Sequence, residues 1–322
     1  MRVSVSSAAS RGRPSQTRLR VRAERAKLTK RMALLYVFLV VPVVVLFIFH
    51  YIPIYGIVIA FKDFKINKGI LRSPWNNFEH FRMLFANMYF GRIMRNTLLI
   101  SAYRIIFEFP APIILALLLN EIGSMAVKRT IQTVSYLPHF MSWVVLSGII
   151  VEVLSPQRGI VGYVYRLLGR DAPNLLMSTR LFRPLLIMTA VWKEVGWGTV
   201  IYLAAISSVN PELYESASID GANRLRKAMA ITLPSIIPVI TILFILRIGS
   251  ILNAGFDQIF NLANPIVYEV GDIIDTYSYR VGLIELRYEF STAVGLFKNA
   301  IGIILLLLTN LIVKSYSDYG LW

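Results

Sequence analysis

The chain has 322 residues, of which 56% are hydrophobic and only 16% are charged, and its formal net charge is +16. Soluble globular proteins average about 45–50% apolar and about 25% charged residues, so this composition excludes an ordinary soluble domain. The sequence has no cysteine, and its three histidines (His50, His80 and His139) are far apart, so we predict no disulfide, no thiol catalysis and no metal site.

A basic arm opens the chain. Residues 1–31 carry ten Lys or Arg residues against the single acid Glu24. The first part is predicted to be disordered, and residues 19–31 are predicted to form a helix along the membrane surface. In a soluble protein such charge would indicate nucleic acid. In a membrane protein it indicates orientation and contact with anionic lipid, so we predict a cytoplasmic N-terminus and no nucleic-acid partner.

Long apolar segments follow the arm. Residues 32–61 contain no formal charge, and about 20 apolar residues are enough to cross a bilayer. This run is too long for a signal peptide, whose apolar region has about 7–15 residues. Further candidate spans are residues 97–120, 131–154, 184–207, 230–250 and 291–313. We therefore predict an all-α, polytopic transmembrane helix bundle of six spans over residues 32–322, with both termini in the cytoplasm.

The loops predicted to lie outside are not uniformly poor in basic residues. Segment 62–96 has seven Lys or Arg against two acids, segment 155–183 has five against one, and segment 251–290 has six acids against two bases. A basic vestibule would raise the local concentration of an anionic solute. The alternatives are docking to an acidic patch on a partner protein and contact with lipid.

A polar segment, residues 208–234, separates two apolar spans. Asn210 is suited to capping a helix, and Pro211 suits its first position. Gly221 permits a left-handed stop, a second helix is expected from Asn223, and Pro234 marks re-entry into the membrane. We predict a cytoplasmic helix–turn–helix here, and the alternative interpretation is a solvated loop with amphipathic helices.

This segment resembles the cytoplasmic coupling loop of binding-protein-dependent ABC importer permeases. The family pattern is Glu-Ala-Ala, three residues, Gly, nine residues, Ile, one residue, Leu-Pro. The chain matches it except that Ser216 replaces the middle Ala. Segments such as HYIPIYGIVIAFKDF and SYLPHFMSWVV resemble the permeases that import oligosaccharides and polysaccharide fragments. The resemblance implies a coupling function for Glu215, Ser216, Ala217, Asp220, Gly221, Leu233 and Pro234.

The resemblance also implies partners and a location. The chain lacks the G-x-x-x-x-G-K-[ST] nucleotide cradle, so we predict that it is not an enzyme and binds no cofactor itself. The family implies two cytoplasmic ATPase subunits that bind ATP and Mg²⁺, a second related permease subunit and an extracytoplasmic solute-binding protein. It implies a bacterial inner-membrane protein that works by alternating access.

Polar residues within the spans are candidates for the substrate path. Placing a charged side chain within a membrane span costs free energy, so such side chains usually face the interior of the bundle. Arg104 and Glu108 are spaced to pair on one helix face, which favours a structural pair, and Glu152 and Arg247 are expected to reach the interface. For the path we select aromatic, cationic and amide side chains that suit sugars, with packing as the competing interpretation. They are Trp192, Lys193, Trp197, Tyr202, Asn253 and Lys298.

The predicted function is import of an oligosaccharide, and the basic outer segments favour an acidic one such as an alginate or other uronate fragment. Neutral oligosaccharides are the alternative substrate class. Three other classes remain as alternatives: an ion-coupled secondary sugar transporter using Glu108 and Glu194, an enzyme acting on lipid-linked sugars, and a membrane sensor. The aligned coupling pattern argues against the first, and the lack of an acid–base or metal motif argues against the second.

Overall fold

The computed structural model describes residue 32 and residues 35–316, and these are largely helical. Within them, β-structure is limited to an isolated antiparallel bridge between Lys62 and Trp75. The arm of residues 1–31, with its expected surface helix, lies outside the described residues. The helices are α1 Leu35–Phe61, α2 Gly69–Arg72, α3 Glu79–Ala86, α4 Phe90–Asn120, α5 Met125–Phe140, α6 Trp143–Leu154, α7 Ile160–Leu167, α8 Phe182–Ser207, α9 Pro211–Ile219, α10 Arg224–Gly249, α11 Phe256–Leu262, α12 Tyr268–Gly271, α13 Ile274–Tyr279 and α14 Tyr288–Tyr316.

The predicted membrane-spanning, all-α architecture is confirmed, but the count of six spans is not. In the described part of the chain, four helices are long and apolar enough to cross a membrane: α1, α4, α10 and α14. The bent pair α5 and α6 makes five if it counts as one span. Helix α8 has 26 residues, which is long enough, but Lys193 and Glu194 lie near its middle and reduce its apolar character.

The predicted span at residues 131–154 is divided between two helices. The chain bends by 105° between α5 and α6. Pro138 lies in a tight 3-10 turn at the end of α5, where its ring and missing donor work against a regular helix. Met141 is extended, and the side chain of Ser142 then caps α6 by accepting from the backbone amide of Val145 at 3.3 Å. Because Pro138 ends α5 and Ser142 caps the start of α6, one apolar run forms two helices.

Three spans contain a widened π-turn placed just before a proline. The turns Phe47–Tyr51, Arg104–Glu108 and Ala228–Thr232 end two residues before Pro53, Pro110 and Pro234. A proline ring clashes with the carbonyl four residues earlier in a regular helix. In each case that carbonyl belongs to the widened turn, which moves it away from the ring. The prolines thus explain where these helices depart from α geometry.

The described part of the chain divides after residue 58 into two units, and the second unit is built around α8. At the end where α8 finishes, Tyr202 and Ile206 pack with Ile113 of α4 and Ile236 of α10. At the end where α8 begins, a second cluster joins it to α4, α6 and α11. Its fully buried members include Ile100, Phe182, Leu186, Ile259 and Ile273.

The first turns of α4 anchor the segment between α11 and α13. The Asn96 amide donates to the carbonyls of Glu269 and Asp272 at 3.0 and 3.1 Å, and Thr97 accepts from the backbone amide of Ile274 at 3.0 Å. Asn96 and Thr97 are buried, so these bonds are shielded from water. The acidic segment after α10 is therefore folded tightly against the bundle at the end where α8 begins.

Two glycines of α8 allow its neighbours to approach closely. A Cβ added at Gly196 would overlap the backbone carbonyl of Ser135 on α5, and one at Gly198 would lie 2.8 Å from Pro112 Cγ on α4. Gly196 and Gly198 therefore serve close helix packing, and α8 is unbroken through them.

We expect Gly196→Ala to lower stability by about 1–3 kcal/mol because the methyl group meets backbone, which cannot rotate away. The matched control is Gly148→Ala on α6, where the added Cβ has no neighbour within 4 Å and where removing a helical glycine should raise stability by about 0.5–1 kcal/mol. Thermal unfolding in detergent measures both, and equal melting temperatures would contradict the close crossing.

Candidate functional site

A charged cleft lies among α4, α8 and α10. Its volume is about 480 Å³. The polar residues that line it are Arg104, Glu108, Glu194, Tyr202, Arg247 and Ser250, with apolar walls from Phe109, Trp197 and Leu243 among others. Because it opens within the membrane-spanning bundle and contains charges, this cleft is the strongest candidate for contact with a polar solute.

Buried ion pairs form the floor of the cleft. Arg104 and Glu108, one turn apart in the π-turn of α4, lie 3.4 Å apart, and Arg247 of α10 donates to Glu108 at 2.9 Å. Arg104 also donates to the side chain of Gln258, whose amide in turn donates to the Leu186 carbonyl at 2.7 Å. The network therefore joins α4, α8, α10 and α11.

This network confirms one expectation from the sequence and corrects another. Arg104 and Glu108 do pair, as their spacing indicated. Arg247 does not simply reach the interface, because it turns inward to Glu108 and keeps a side chain that is 32% exposed. Glu152 is exposed and pairs with Arg158 at 3.6 Å. Sequence spacing along one helix could not indicate that Arg247, on another helix, would complete the cluster.

Lys193 lies at the helix break and not in the cleft wall. It is 6% exposed, and its ammonium donates to the carbonyls of Pro138, His139 and Met141 at 3.3, 2.8 and 2.9 Å. The Pro138 carbonyl also accepts from the Met141 backbone amide at 3.2 Å. Because its ammonium bonds to three carbonyls of the bend, Lys193 fixes the bend between α5 and α6.

An aromatic platform extends from that break into the cleft. The Trp197 ring stacks on the His139 ring with centroids 4.7 Å apart and planes inclined by 4°, and Phe140 meets Trp197 edge-on at 5.7 Å. His139 Nδ1 lies 2.9 Å from Glu194. The bend therefore places a flat aromatic surface beside a carboxylate, an arrangement that can hold the apolar face of a sugar.

The predicted path residues separate into several places. Trp197 and Tyr202 line the charged cleft. Asn253 and Lys298 line a second cavity of about 370 Å³, and Lys298 is paired with Asp275. Ser250 borders both cavities, so they adjoin. Trp192 is 47% exposed and, five residues before Trp197, projects from a different side of α8.

The polar segment after α8 is a helix–turn–helix, as its sequence indicated. Asn210 caps α9 by accepting from the Glu212 amide at 3.0 Å. Gly221, at φ +75°, ends α9. The Gly221 amide donates to Ser218 at 3.1 Å and the Ala222 amide to Ala217 at 2.9 Å, the paired bonds of a Schellman stop.

Side-chain hydrogen bonds tie α9 to the start of α10. The Tyr214 hydroxyl lies 2.9 Å from the Thr232 hydroxyl, and Lys227 donates to Ser218 at 2.6 Å. Three apolar side chains nearby remain exposed: Leu213 at 49%, Ile219 at 88% and Leu225 at 71%. Glu215, Ser216, Asp220 and Pro234 are exposed as well, whereas Leu233 packs into the apolar cluster at the end of α8.

The pattern of this segment and the helical bundle agree with a known family. A family model described as "Binding-protein-dependent transport system inner membrane component" matches residues 108–319, which include the helix–turn–helix and every lining residue of the cleft except Arg104. The chain belongs to this family. It is a multi-pass inner-membrane protein and a permease subunit of the ABC importer class for oligosaccharides and polysaccharides, so the resemblance found in the sequence is confirmed.

Relatives cover nearly the whole permease. Protein LplB of Bacillus subtilis (strain 168) is 43% identical over 293 residues, which are 91% of this chain and 92% of LplB. The polygalacturonan/rhamnogalacturonan transport system permease protein YteP of the same strain is 42% identical over 288 residues, 89% of this chain and 90% of YteP.

A solved structure has the same fold. The crystal structure of a bacterial alginate ABC transporter in complex with an alginate pentasaccharide-bound periplasmic protein contains a chain that is 40% identical to this permease, with a TM-score of 0.82. The match covers 92% of this chain and 99% of that chain. The likeness therefore extends through the membrane bundle and the segments between its helices.

We expect Lys193→Met to lower stability by about 2–4 kcal/mol, because buried carbonyls at the α5–α6 break lose their donors. Lys193→Arg should restore part of the loss, since a guanidinium also donates, and Lys128→Met on α5 is the control. Melting temperatures measure the effect. A permease of normal stability that has lost only the binding of acidic sugars would instead make Lys193 a substrate contact.

Proposed function

We propose that this permease carries an acidic oligosaccharide, a fragment of a uronate polymer, across the inner membrane. The observation that carries the proposal is the excess of exposed basic charge at the end of the bundle where α8 begins. Two kinds of support accompany it: a cleft whose charges can meet carboxylates, and relatives whose names refer to alginate and to polygalacturonan.

The exposed charge belongs to segments 62–96 and 155–183. Nine of their twelve basic residues are exposed, against three acids. Among the described residues, two of the nine have an acid within ion-pair distance, Lys65 with Asp63 and Arg158 with Glu152. Such a field attracts an anionic oligomer and concentrates it at the mouth of the permease. The nine are Lys65, Lys68, Arg72, Arg82, Arg95, Arg158, Arg166, Arg170 and Arg180.

Within the bundle, the cleft offers complementary contacts to a uronate. Trp197 presents a ring to the apolar face of the sugar. Arg247 is partly exposed and has donors to spare after its bond to Glu108, so it can meet a carboxylate in a charge-assisted hydrogen bond. Arg104 Nε and Glu108 Oε2 are buried without a hydrogen-bond partner in the described part of the chain, and a sugar hydroxyl or water in the cleft would satisfy them.

Energy would enter through α9. We assign α9 to docking in a groove on a partner ATPase, with Glu215 facing a basic residue and the exposed Leu213 and Ile219 in apolar contact. Because α9 is bonded to α10 at Tyr214–Thr232, its displacement would be passed to α10, which carries Arg247. The cleft would then open alternately to the two sides of the membrane.

The proposed assembly follows from this arrangement. Two ATPase subunits with ATP and Mg²⁺, a second permease and an extracytoplasmic binding protein would complete the importer. The N-terminus, the C-terminus and α9 would lie in the cytoplasm, and the basic segments outside. The ion-coupled alternative is not favoured, because Glu108 is engaged by two arginines and is unsuited to bind and release a coupling ion.

Neutral oligosaccharides are the second candidate substrate, and one observation favours them. The ionisable residues of the cleft are balanced, since Arg104 and Arg247 are matched by Glu108 and Glu194. The basic surface would then serve only to dock an acidic face of the binding protein.

A substrate comparison separates these candidates. In proteoliposomes holding the importer complex and its binding protein, uronate oligosaccharides should stimulate ATP hydrolysis, and neutral maltooligosaccharides of equal length should not. Loss of one charge-assisted contact is worth about 1.5–3 kcal/mol, so Arg247→Gln should weaken uronate stimulation by about ten-fold or more.

The control for that comparison is Arg129→Gln, an exposed basic residue on α5 outside the cleft. Stimulation by neutral sugars alone would reject the acidic substrate and leave the importer assignment intact. An Arg247→Gln complex that responds to uronates as the unsubstituted one does would remove Arg247 from the path.

The coupling assignment has its own test. In Gly221→Ala the left-handed turn at φ +75° is strained by about 1–2 kcal/mol, which should misplace α9 and reduce binding-protein-stimulated ATP hydrolysis at least about five-fold. Glu215→Lys should weaken ATPase assembly by reversing a charge at the proposed contact.

The matched control is Gly123→Ala, in the turn between α4 and α5, where an added Cβ meets open space. It should hydrolyse ATP at the unsubstituted rate. Full stimulation and assembly in both Gly221→Ala and Glu215→Lys would refute the docking of α9.

A further inference from the structure

A groove on the outside of the bundle is separate from the cleft and from the coupling segment. It has a volume of about 510 Å³ and lies between α4 and the start of α8. Tyr103 and Phe107 form one wall, and residues 179–188 provide the other. The charged cleft and this groove share no lining residue, so the solute path does not explain it.

The groove runs along α4 and α8 from the arginines toward the interior of the membrane. Arg183 on α8 donates to Asn96 on α4 at 2.7 Å, and Thr199 on α8 donates to the Pro112 carbonyl on α4 at 3.3 Å. The two helices therefore run parallel. Both bonds join residues 87 positions apart, so each residue of α4 lies level with the residue of α8 that is 87 positions later. Tyr103 and Phe107 lie level with residues 190–194 of α8, which is deeper than Arg183. At about 1.5 Å per residue, the groove extends roughly 15–20 Å inward from the arginines.

The shallow end of the groove is cationic. Arg180 is exposed, and no acid lies within ion-pair distance of it among residues 35–316. Arg183 is held by two neutral oxygens, the Asn96 side chain at 2.7 Å and the Val270 carbonyl at 3.0 Å. Its charge is therefore positioned but not neutralised. The Thr179 hydroxyl lines the same end.

The deep end is apolar. Met188 is 72% exposed and Phe107 is 57% exposed, and Ile187 forms the base between them at 7% exposure. At this depth of a membrane-crossing bundle, exposed side chains of this kind meet hydrocarbon. A sugar has hydroxyl groups along its whole length and does not match such a wall, and a small anion would use only the arginines.

We propose that the groove is a binding site for an anionic phospholipid. The phosphate lies between Arg180 and Arg183, with Thr179 as a further donor, and one acyl chain follows Pro184, Ile187 and Met188 to Phe107. Guanidinium groups suit phosphate because they donate several hydrogen bonds in one plane. Cationic pockets at the edges of membrane helices are suited to anionic head groups.

Binding at this site has a structural consequence. Arg183 joins α8 to α4 through Asn96 and to the segment before α13 through Val270. A bound phosphate supplies the missing counter-charge to that junction. Anionic lipid is therefore expected to raise the melting temperature of the importer complex, and a zwitterionic lipid is expected to do so less.

The experiment uses the importer complex, with its partner subunits, in detergent. We would add phosphatidylglycerol with a photoreactive diazirine on one acyl chain, irradiate, and identify the labelled peptides by mass spectrometry. Label should fall on peptides containing Phe107 or Met188. Phosphatidylcholine with the same chain should label them less, and soluble glycerol phosphate should not compete.

Paired variants provide the control. Removing one arginine near the membrane surface should reduce labelling by phosphatidylglycerol about five-fold, so we expect this for Arg180→Gln. Arg170→Gln removes an exposed arginine that does not line the groove and should leave the lipid labelling unchanged. Met188→Trp should displace the chain and the label, whereas Ile114→Trp, at an exposed position elsewhere on α4, should not.

Several outcomes would overturn the proposal. They are label outside the groove, equal labelling by phosphatidylcholine, unchanged labelling of Arg180→Gln, and competition by glycerol phosphate, which would indicate a site for soluble anions. A groove that takes no label in the complex, because a partner subunit covers it, would overturn it too. Because the readout is lipid labelling, it does not depend on which oligosaccharide is carried.

Discussion

The π-turn of α4 holds the charged pair on which the cleft depends. Arg104 and Glu108 lie in that turn with almost no exposed surface, so each has to be balanced by neighbouring elements. Arg247 approaches from α10, and Gln258 approaches from α11 while bonding to α8. Gly255 permits this, because a side chain there would overlap the Arg104 guanidinium. Four helices are thus held by one set of buried charges.

The two ends of α8 serve different purposes in this arrangement. At its start, buried polar bonds from Asn96 and Thr97 hold the segment before α13. At its end, an apolar cluster that includes Tyr202 and Ile236 is followed by the capped and exposed helix α9. In the proposed mechanism, the stiff α8 and the bonded α9–α10 corner connect these ends mechanically, with the charged network between them.

Local signals were enough to predict some features from the sequence, while contacts across the bundle were not. The cap at Asn210 and the stop at Gly221 depend on residues within a few positions, and both are present as predicted. The inward turn of Arg247 and the donation of Lys193 to carbonyls on α5 depend on which helices become neighbours. The break after Pro138 could not be separated from an ordinary kink by composition, because the apolar run continues past it.

The widened turn of α4 also changes the phase of the helix. The buried positions Ile100, Arg104, Glu108 and Pro112 recur every four residues through it. In a regular helix of about 3.6 residues per turn, each such step drifts by about 40°, so three steps would rotate the face by about 120°. The turn absorbs most of that drift and keeps these residues on the side that faces α8. A proline that imposes one wide turn thereby sets which side chains meet lipid and which meet the interior for the remainder of the span.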